Sequence, residues 1–155
     1  MPSGFASIEI STTPPTVFDL LHDYRRRLDW DPFLRDARLL KGAQVAGVGV
    51  TSCCVARRSA GGMAMETIYI SFARPGVAAV KMTRGPIIFR TFAASIRQEH
   101  VDDNTTRVTY RYKFELQPRW LAPLLEPVVR FIFDRETRQR LIALKQFLEG
   151  EGARD

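Results

Sequence analysis

The sequence predicts an α+β fold, in which a curved antiparallel sheet of seven strands wraps around one long C-terminal helix. Two short helices are expected after the first strand. Strand-like segments follow one another with gaps of hairpin length, which favours antiparallel pairing of sequential neighbours. A segment with helical periodicity follows the last of them. At 155 residues the chain suits one domain with one core, so we assign residues 1–155 to a single domain.

The first part of the chain combines a strand with two short helices. Residues 4–11 alternate in the manner of a strand. The hydroxyl and proline residues of positions 12–15 are typical of a helix start. Val17, Leu20 and Leu21 follow at helical spacing. A second short helix or turn is expected within residues 25–34.

Six further strands are predicted after these helices. Breaks rich in glycine, proline, aspartate and asparagine separate them. Their expected ranges are 37–41, 48–57, 63–73, 77–83, 87–100 and 105–116. The last range alternates most clearly, which predicts one face toward the core and one toward water. The apolar face of that strand is expected to carry Val108, Tyr110, Tyr112, Phe114 and Leu116.

The C-terminal segment predicts a long helix over residues 119–149. Its expected apolar stripe consists of Leu121, Leu125, Val128, Ile132, Ala143 and Phe147. Glu136 and Gln139 take positions on this stripe where leucine or isoleucine would be expected. Residues 150–155 are expected to be a disordered tail.

The charge pattern predicts a solvated basic surface. The net charge is +6, from 23 basic and 17 acidic residues, and 19 of the basic residues are arginine. The basic clusters are not interleaved with aromatic residues, as a stacking surface for nucleic acid would be. We therefore expect no nucleic-acid partner.

Other composition features predict a cytoplasmic protein without a cofactor. There is no run of 18 apolar residues and no secretory signal pattern, so we expect neither a membrane span nor export. Cys53 and Cys54 are adjacent, which suits reduced thiols better than a disulfide. His22 and His100 are far from each other and from the cysteines, so no metal site is expected. No dinucleotide, phosphate-loop or nucleophile motif is present, and we expect no cofactor.

The predicted element order also implies an internal space. Only the long helix can cover the apolar face of a seven-stranded curved sheet. A helix about 10 Å wide cannot touch every strand, so sheet and helix are expected to leave a cavity between them.

Three short stretches carry a family resemblance that covers nearly the whole chain. They are the run from Leu28 to Phe33, which contains Trp30, Asp31 and Pro32, the run from Met65 to Tyr69, and the run from Phe92 to Arg97. With the element order, they resemble the START-related helix-grip superfamily (SRPBCC), in its polyketide cyclase/dehydrase-like branch. This resemblance implies a helix-grip fold with an apolar cavity. It does not imply one reaction, because members bind lipids, hormones or polyketides and some cyclise or dehydrate them.

The residues expected to contact a ligand lie on the strands, the short helices and the long helix. They are Trp30, Met65, Tyr69, Phe92, Tyr110, Tyr112, Ile132, Glu136 and Gln139. Trp30 fits either a core position or a lid at the mouth of the cavity. Each buried tyrosine needs a hydroxyl partner, which could be a neighbouring residue or the ligand.

Two carboxylates are candidates for catalysis. Glu66 faces the cavity if its strand face points inward, whereas it is a surface charge if Met63, Met65 and Tyr69 point inward instead. An inward Glu136 would need an arginine partner from the sheet, with Arg90, Arg97 and Arg111 as candidates. The alternative is an exposed Glu136 that pairs with Arg140 on the same helix. The two histidines are expected at the surface or at helix ends, not in catalysis.

These features lead to one functional expectation and one alternative. The expectation is that the cavity binds a hydrophobic small molecule, which is lipid-, sterol- or polyketide-like. The alternative is a polyketide aromatase/cyclase or dehydratase that uses an inward carboxylate as general acid or base. Membrane contact, if any, is expected to be peripheral, and the protein is expected to be a monomer or a homodimer.

Overall fold

A computed structural model describes residues 2–154, and its order of elements matches the predicted one. β1 (Ser3–Ile10) is followed by α1 (Pro14–Leu21) and α2 (Arg27–Trp30). The remaining elements are β2 (Leu34–Leu39), β3 (Thr51–Ala56), β4 (Ala64–Ala73), β5 (Val77–Arg84), β6 (Phe89–Asp102), β7 (Thr105–Leu116) and α3 (Ala122–Arg154).

The strands form one antiparallel sheet in the order β1-β7-β6-β5-β4-β3-β2. Sequential neighbours from β2 to β7 pair. The connections between β4 and β7 have hairpin length, as predicted, whereas residues 40–50 join β2 to β3 by a longer loop. β1 pairs with β7, so that Ser3 lies opposite Lys113 and Ile10 lies opposite Thr106. The seven-stranded sheet with a long C-terminal helix confirms the predicted fold class.

The alternation predicted for β7 is confirmed. Val108 and Phe114 are fully buried on the concave side, whereas Arg107, Arg111 and Lys113 on the other side are exposed. The apolar face of β7 therefore forms the centre of the core.

The boundaries of β2 differ from the prediction because of local backbone geometry. β2 runs Leu34–Leu39 instead of residues 37–41. Lys41 and Gly42 have φ values of 56° and 74°, in a left-handed region that ends an extended strand. A register shift between Leu34 and Asp36 also interrupts the pairing of β2 with β3.

The predicted apolar stripe of α3 is right only in part. Leu125 and Phe147 pack against the core and Ile132 lines the cavity, but the buried face is rotated relative to the stripe. Val128 is 57% exposed and Ile132 is 44% exposed, although both were assigned to the stripe. Gln139, expected on the same stripe, is exposed as well. The fully buried positions comprise Ala122, Glu136, Thr137, Leu141, Leu144 and Leu148, of which only Glu136 lies on the predicted stripe. Polar side chains in the middle of the buried face are the physical reason, because they hide the true periodicity.

The end of α3 also differs from the prediction. The helix continues to Arg154, so residues 150–154 are helical where a disordered tail was expected. Glu151 forms an ion pair with Arg26, at the N-terminal side of α2, and this pairing ties the last turns to the body of the domain. The final residue of the predicted tail, at position 155, lies outside the described residues.

The first half of α3 leaves apolar side chains in solvent. Leu124, Val128 and Phe131 are each more than half exposed, and their spacing places them along one side of the helix. Trp120, in the turn before α3, is exposed as well. No helix within residues 2–154 is both long and apolar enough to cross a membrane. Peripheral membrane contact and the oligomeric state stay predictions from the sequence.

Candidate functional site

A cavity of about 290 Å³ lies between the concave face of the sheet and α3. Its volume is near the lower end of the range typical of small-molecule sites. Alternate residues in the first part of β4 face it, namely Met65, Thr67 and Tyr69, and so does Met63 just before the strand. The contribution of α3 comes at helical spacing from Val129, Ile132, Phe133, Glu136, Thr137 and Arg140.

One end of the cavity is apolar and aromatic. Phe133 of α3 packs against Phe92 and Phe89 of β6, with ring centroids 5.4 and 5.8 Å apart. Met65 packs against the same cluster from β4. This end offers a hydrophobic surface to a ligand, and its flexible methionine can adapt to different shapes.

The other end of the cavity is built around a buried carboxylate. Asp31, placed by the turn after α2, is 3% exposed. Its Oδ2 accepts hydrogen bonds from Nε of Arg27 at 2.9 Å and from Nη2 of Arg140 at 2.9 Å. Burial raises the pKa of the Asp31 carboxyl, but the two guanidinium groups outweigh burial and hold that pKa below its usual value. Both arginines line the cavity, and this cluster of three charges was not predicted from the sequence.

Glu136 is the inward carboxylate that the sequence proposed, but its partner differs from the expected ones. It is 8% exposed and lines the cavity. Arg57 donates two hydrogen bonds to it, from Nη2 at 2.6 Å and from Nη1 at 3.0 Å. Arg57 follows β3, so neither the sheet arginines considered above nor Arg140 makes this pair.

His22 is a site residue that the sequence reasoning missed. It lies at the C-terminal end of α1, as expected, but it is largely enclosed and faces the cavity. Its Nδ1 lies 2.8 Å from the hydroxyl of Tyr69, which in turn lies 3.1 Å from the hydroxyl of Tyr24. Burial lowers the pKa of His22 to about 3, and burial also raises the pKa of Tyr69. Both groups are therefore neutral at pH 7.

Most of the predicted ligand residues do face the cavity. This set comprises Met65, Tyr69, Phe92, Tyr110, Ile132 and Glu136. Ile132 is also partly in solvent, which places it at the rim. Trp30, Tyr112 and Gln139 do not line the cavity.

Trp30 and Tyr112 have structural roles in place of the predicted ligand contacts. Trp30 packs in the core with α1 and the second half of α3, so the core interpretation holds and the lid interpretation is wrong. The Tyr112 hydroxyl donates a hydrogen bond to Asp134 of α3, which satisfies it without a ligand. Gln139 is in solvent because of the helix rotation described above.

Glu66 is not placed for chemistry in the cavity. It lies on β4 between Met65 and Thr67, which both line the cavity, so its side chain points to the other face of the strand. The candidate role of Glu66 as general acid or base is therefore wrong. The strand face that carries Met65 and Tyr69 points inward, which is the alternative that makes Glu66 a surface charge.

The side chains that could bind a metal ion are scattered over the described residues. Within the described part of the chain, no three histidine, cysteine or carboxylate groups come together as a metal site would require. Cys53 is buried and Cys54 half-buried, and neither forms a disulfide. Cys54 lines the cavity, and burial raises the pKa of its thiol.

A curved antiparallel sheet wrapped around one long helix defines the START-like, helix-grip class of proteins, and this chain has that fold. The family model described as polyketide cyclase / dehydrase and lipid transport matches residues 1–149. The chain therefore belongs to this family. No curated protein matches the sequence.

Solved structures with this fold share little sequence with the chain. The Zhui aromatase/cyclase from Streptomyces sp. R1128 is 14% identical, with a TM-score of 0.82 over 96% of this chain and 93% of that one. A START superfamily protein from Mycobacterium smegmatis is 11% identical, with a TM-score of 0.77 over 96% and 97%. The protein XoxI from Bacillus cereus is 19% identical, with a TM-score of 0.76 over 97% and 99%. At these identities the likeness shows the fold alone.

Proposed function

We propose that the protein binds a hydrophobic small molecule, which is lipid-, sterol- or polyketide-like, in the cavity between the sheet and α3. The supporting observation is an aromatic and aliphatic wall around about 290 Å³ of space. Contact with this wall would remove apolar ligand surface from water at about 25 cal/mol per Å². Each charged group of this wall contacts a group of opposite charge: Arg27 and Arg140 share Asp31, and Arg57 pairs with Glu136.

The state of the titratable groups favours binding over acid–base catalysis. General acids and bases work best when the pKa lies near the operating pH. Burial moves the pKa of His22 down to about 3 and moves those of Tyr69, Tyr110 and Cys54 further up. All four shifts move the pKa away from pH 7, which favours a cavity wall that does not exchange protons with a ligand.

Filling the cavity is the direct test of binding. N-phenyl-1-naphthylamine is an uncharged probe that fluoresces in apolar surroundings. We expect it to bind the wild type and to bind Met65→Trp at least tenfold more weakly, because the indole would occupy ligand space beside Phe92. The measurement is a fluorescence titration, with native mass spectrometry for stoichiometry.

The matched control is Ile70→Trp, which adds the same side chain to the solvent-exposed face of the same strand. It should bind the probe like the wild type. No saturable binding by the wild type, or equal binding by both variants, would contradict the proposal.

A second candidate function is an aromatase/cyclase or dehydratase activity on a polyketide-like substrate. It is favoured by Glu136, an inward carboxylate on the cavity wall. This group would take the proton from a carbon between two carbonyls, and the enolate carbon would attack a third carbonyl of the same substrate. The π bond of that carbonyl breaks, and the alkoxide takes the proton back from Glu136 to give a hydroxyl. The test is cyclisation of a synthetic tri-ketone. Glu136→Gln should remove the activity, and Glu66→Gln on the outer face should keep it; a wild type with no turnover, or an active Glu136→Gln, would reject this candidate.

A further inference from the structure

The cavity changes character along α3. Val129, Ile132 and Phe133 form its apolar end, and Arg140 lies at the other end. Val129 and Arg140 are eleven positions apart, which corresponds to about 16 Å along a helix. A ligand lying along α3 would therefore contact apolar side chains at one end and guanidinium groups at the other.

The hydrogen-bonding capacity of Asp31 is already taken. Its Oδ2 accepts from Arg27 and from both Nε and Nη2 of Arg140, and its Oδ1 accepts from the backbone N–H of Phe33 at 3.0 Å. Arg27 also donates Nη1 to the carbonyl of Leu21 at 3.1 Å. The remaining donors of the two arginines must find another acceptor.

Three polar atoms at this end of the cavity have no protein partner within residues 2–154. They are Nη2 of Arg27, Nη1 of Arg140 and the hydroxyl of Tyr110, none of which has a further hydrogen bond. The guanidinium of Arg140 lies over the Tyr110 ring, 6.0 Å from its centroid. None of the three belongs to the fully buried atoms without a partner, which at this cavity include Nε2 of His22, so each is open to the cavity space that its residue lines. Tyrosines in such surroundings usually find a partner for the hydroxyl. The three atoms therefore form an open set of donors.

The charges at this end of the cavity are also unbalanced. Arg27 and Arg140 share the single carboxylate of Asp31, which leaves one positive charge. The side chains of these arginines are only 13% and 18% exposed. Glu136 does not supply the missing negative charge, because it is already paired with Arg57. An enclosed charge without a counter-ion is unfavourable, and a ligand can provide that counter-ion.

We infer that the ligand is an amphipathic acid, whose carboxylate accepts hydrogen bonds from Arg27, Arg140 and Tyr110 while its apolar body lies toward Phe92 and Phe133. The planar fork of a guanidinium matches the two oxygens of a carboxylate. This inference rests on the proposed function, since it assumes that the cavity holds a hydrophobic molecule, and it names the chemical class of that molecule.

The test compares two ligands that differ only in the head group. Decanoate and decan-1-ol compete with N-phenyl-1-naphthylamine at pH 7.5, and the ratio of their dissociation constants is measured for each variant. The wild type is expected to prefer decanoate at least tenfold. This ratio cancels any general loss of binding, so it reports on the head group alone.

Variants of Arg140 test whether this arginine causes the preference for decanoate over decan-1-ol. Arg140→Gln leaves Asp31 paired with Arg27 and should reduce the decanoate preference to threefold or less. Arg140→Lys keeps the charge and should keep most of the preference. Arg74→Gln is the matched control, since Arg74 is an exposed arginine paired with Asp19 and lies outside the cavity lining; its ratio should equal that of the wild type.

The outcomes separate this inference from the proposed function. If the probe binds the wild type but the acid and the alcohol compete equally, the inference is wrong and the binding function stands. If neither the probe nor the two ligands bind the wild type, the proposed binding function is wrong, and the inference that rests on it is wrong as well. Should Arg140→Gln fail to fold, Arg27→Gln repeats the measurement at the second guanidinium. A decanoate preference that persists in the folded glutamine variants places the anion elsewhere and overturns the inference.

Discussion

Replacing Asp31 by alanine is expected to lower the free energy of unfolding by about 3–5 kcal/mol, the range for removing one partner from a buried ion pair. The change leaves the guanidinium groups of Arg27 and Arg140 enclosed without a counter-ion. It also removes the acceptor for the backbone N–H of Phe33. The measurement is urea denaturation of both proteins at pH 7.

Asp19→Ala is the matched control for this prediction. Asp19 also accepts two hydrogen bonds from one arginine, Arg74, but both side chains are more than half exposed. Exposed pairs contribute about 0–1 kcal/mol, so the loss should be no more than that. Equal losses from Asp31→Ala and Asp19→Ala would show that the buried cluster does not stabilise the fold.

The contribution of Asp31 also has a defined pH dependence. Since its pKa in the folded protein is lower than in the unfolded chain, the stabilisation is complete above the unfolded value of about 3.9. It decreases as the pH falls further, through the folded pKa. The difference in stability between wild type and Asp31→Ala should therefore shrink below about pH 4.

His22 is expected to make the wild type less stable by about 2 kcal/mol at pH 5 than at pH 7.5. Its pKa is about 3 in the folded protein and about 6.5 in an unfolded chain. Between these values the unfolded chain binds a proton that the folded protein does not, so stability is complete above about pH 6.5 and falls toward pH 3. His22→Gln removes this titration, and urea denaturation of both proteins at the two pH values measures it.

His100→Gln provides the control for this pH dependence, because His100 is an exposed histidine on β6. That variant should lose stability between pH 7.5 and pH 5 as the wild type does. If His22→Gln shows the same acid loss as the wild type, His22 is protonated in the folded protein and its assignment as a neutral, buried group is wrong.

The strands of the sheet could be predicted from the sequence because the patterns that mark a strand and its turns lie within a few neighbouring residues. β7 alternates without exception from Val108 to Leu116, and the turns next to it contain the expected residues. Turn chemistry and alternation act over a few residues, so the bounds of β7 were predicted to the residue. The predicted bounds of β2 were wrong because the sequence gives no strong signal for the left-handed backbone at Lys41 that ends this strand.

The inward face of α3 could not be predicted from the sequence, because several of the side chains on it are charged residues that are usually exposed. Glu136 and Arg140 face inward as members of ion pairs, whereas Val128 and Phe131 are in solvent. Hydrophobic periodicity assumes that apolar residues lie inside, and both pairs of residues break that assumption. Charged residues inside the stripe were the available signal, and this signal identified Glu136 but missed Arg140.

The polar end of the cavity depends on contacts between distant parts of the chain. Asp31 and Arg140 are 109 positions apart, and His22 and Tyr69 are 47 apart. The periodicity of helices and strands relates residues within one element, so it cannot predict contacts between residues that are this far apart in the chain. In the sequence, Asp31 stands out only as part of the run from Leu28 to Phe33 that carries the family resemblance, and His22 has no partner near it along the chain.

The pairing of β1 with β7 has a consequence for how the chain folds during synthesis. Ser3 lies opposite Lys113, so β1 is translated about 110 residues before the strand with which it pairs. At roughly 5–20 residues per second, the delay is on the order of 5–20 s. During that time the hairpins from β2 onward can form from neighbouring segments, while β1 has no strand to join. Chaperone contact with the nascent chain is therefore expected to concentrate on its first ten residues until β7 emerges from the ribosome.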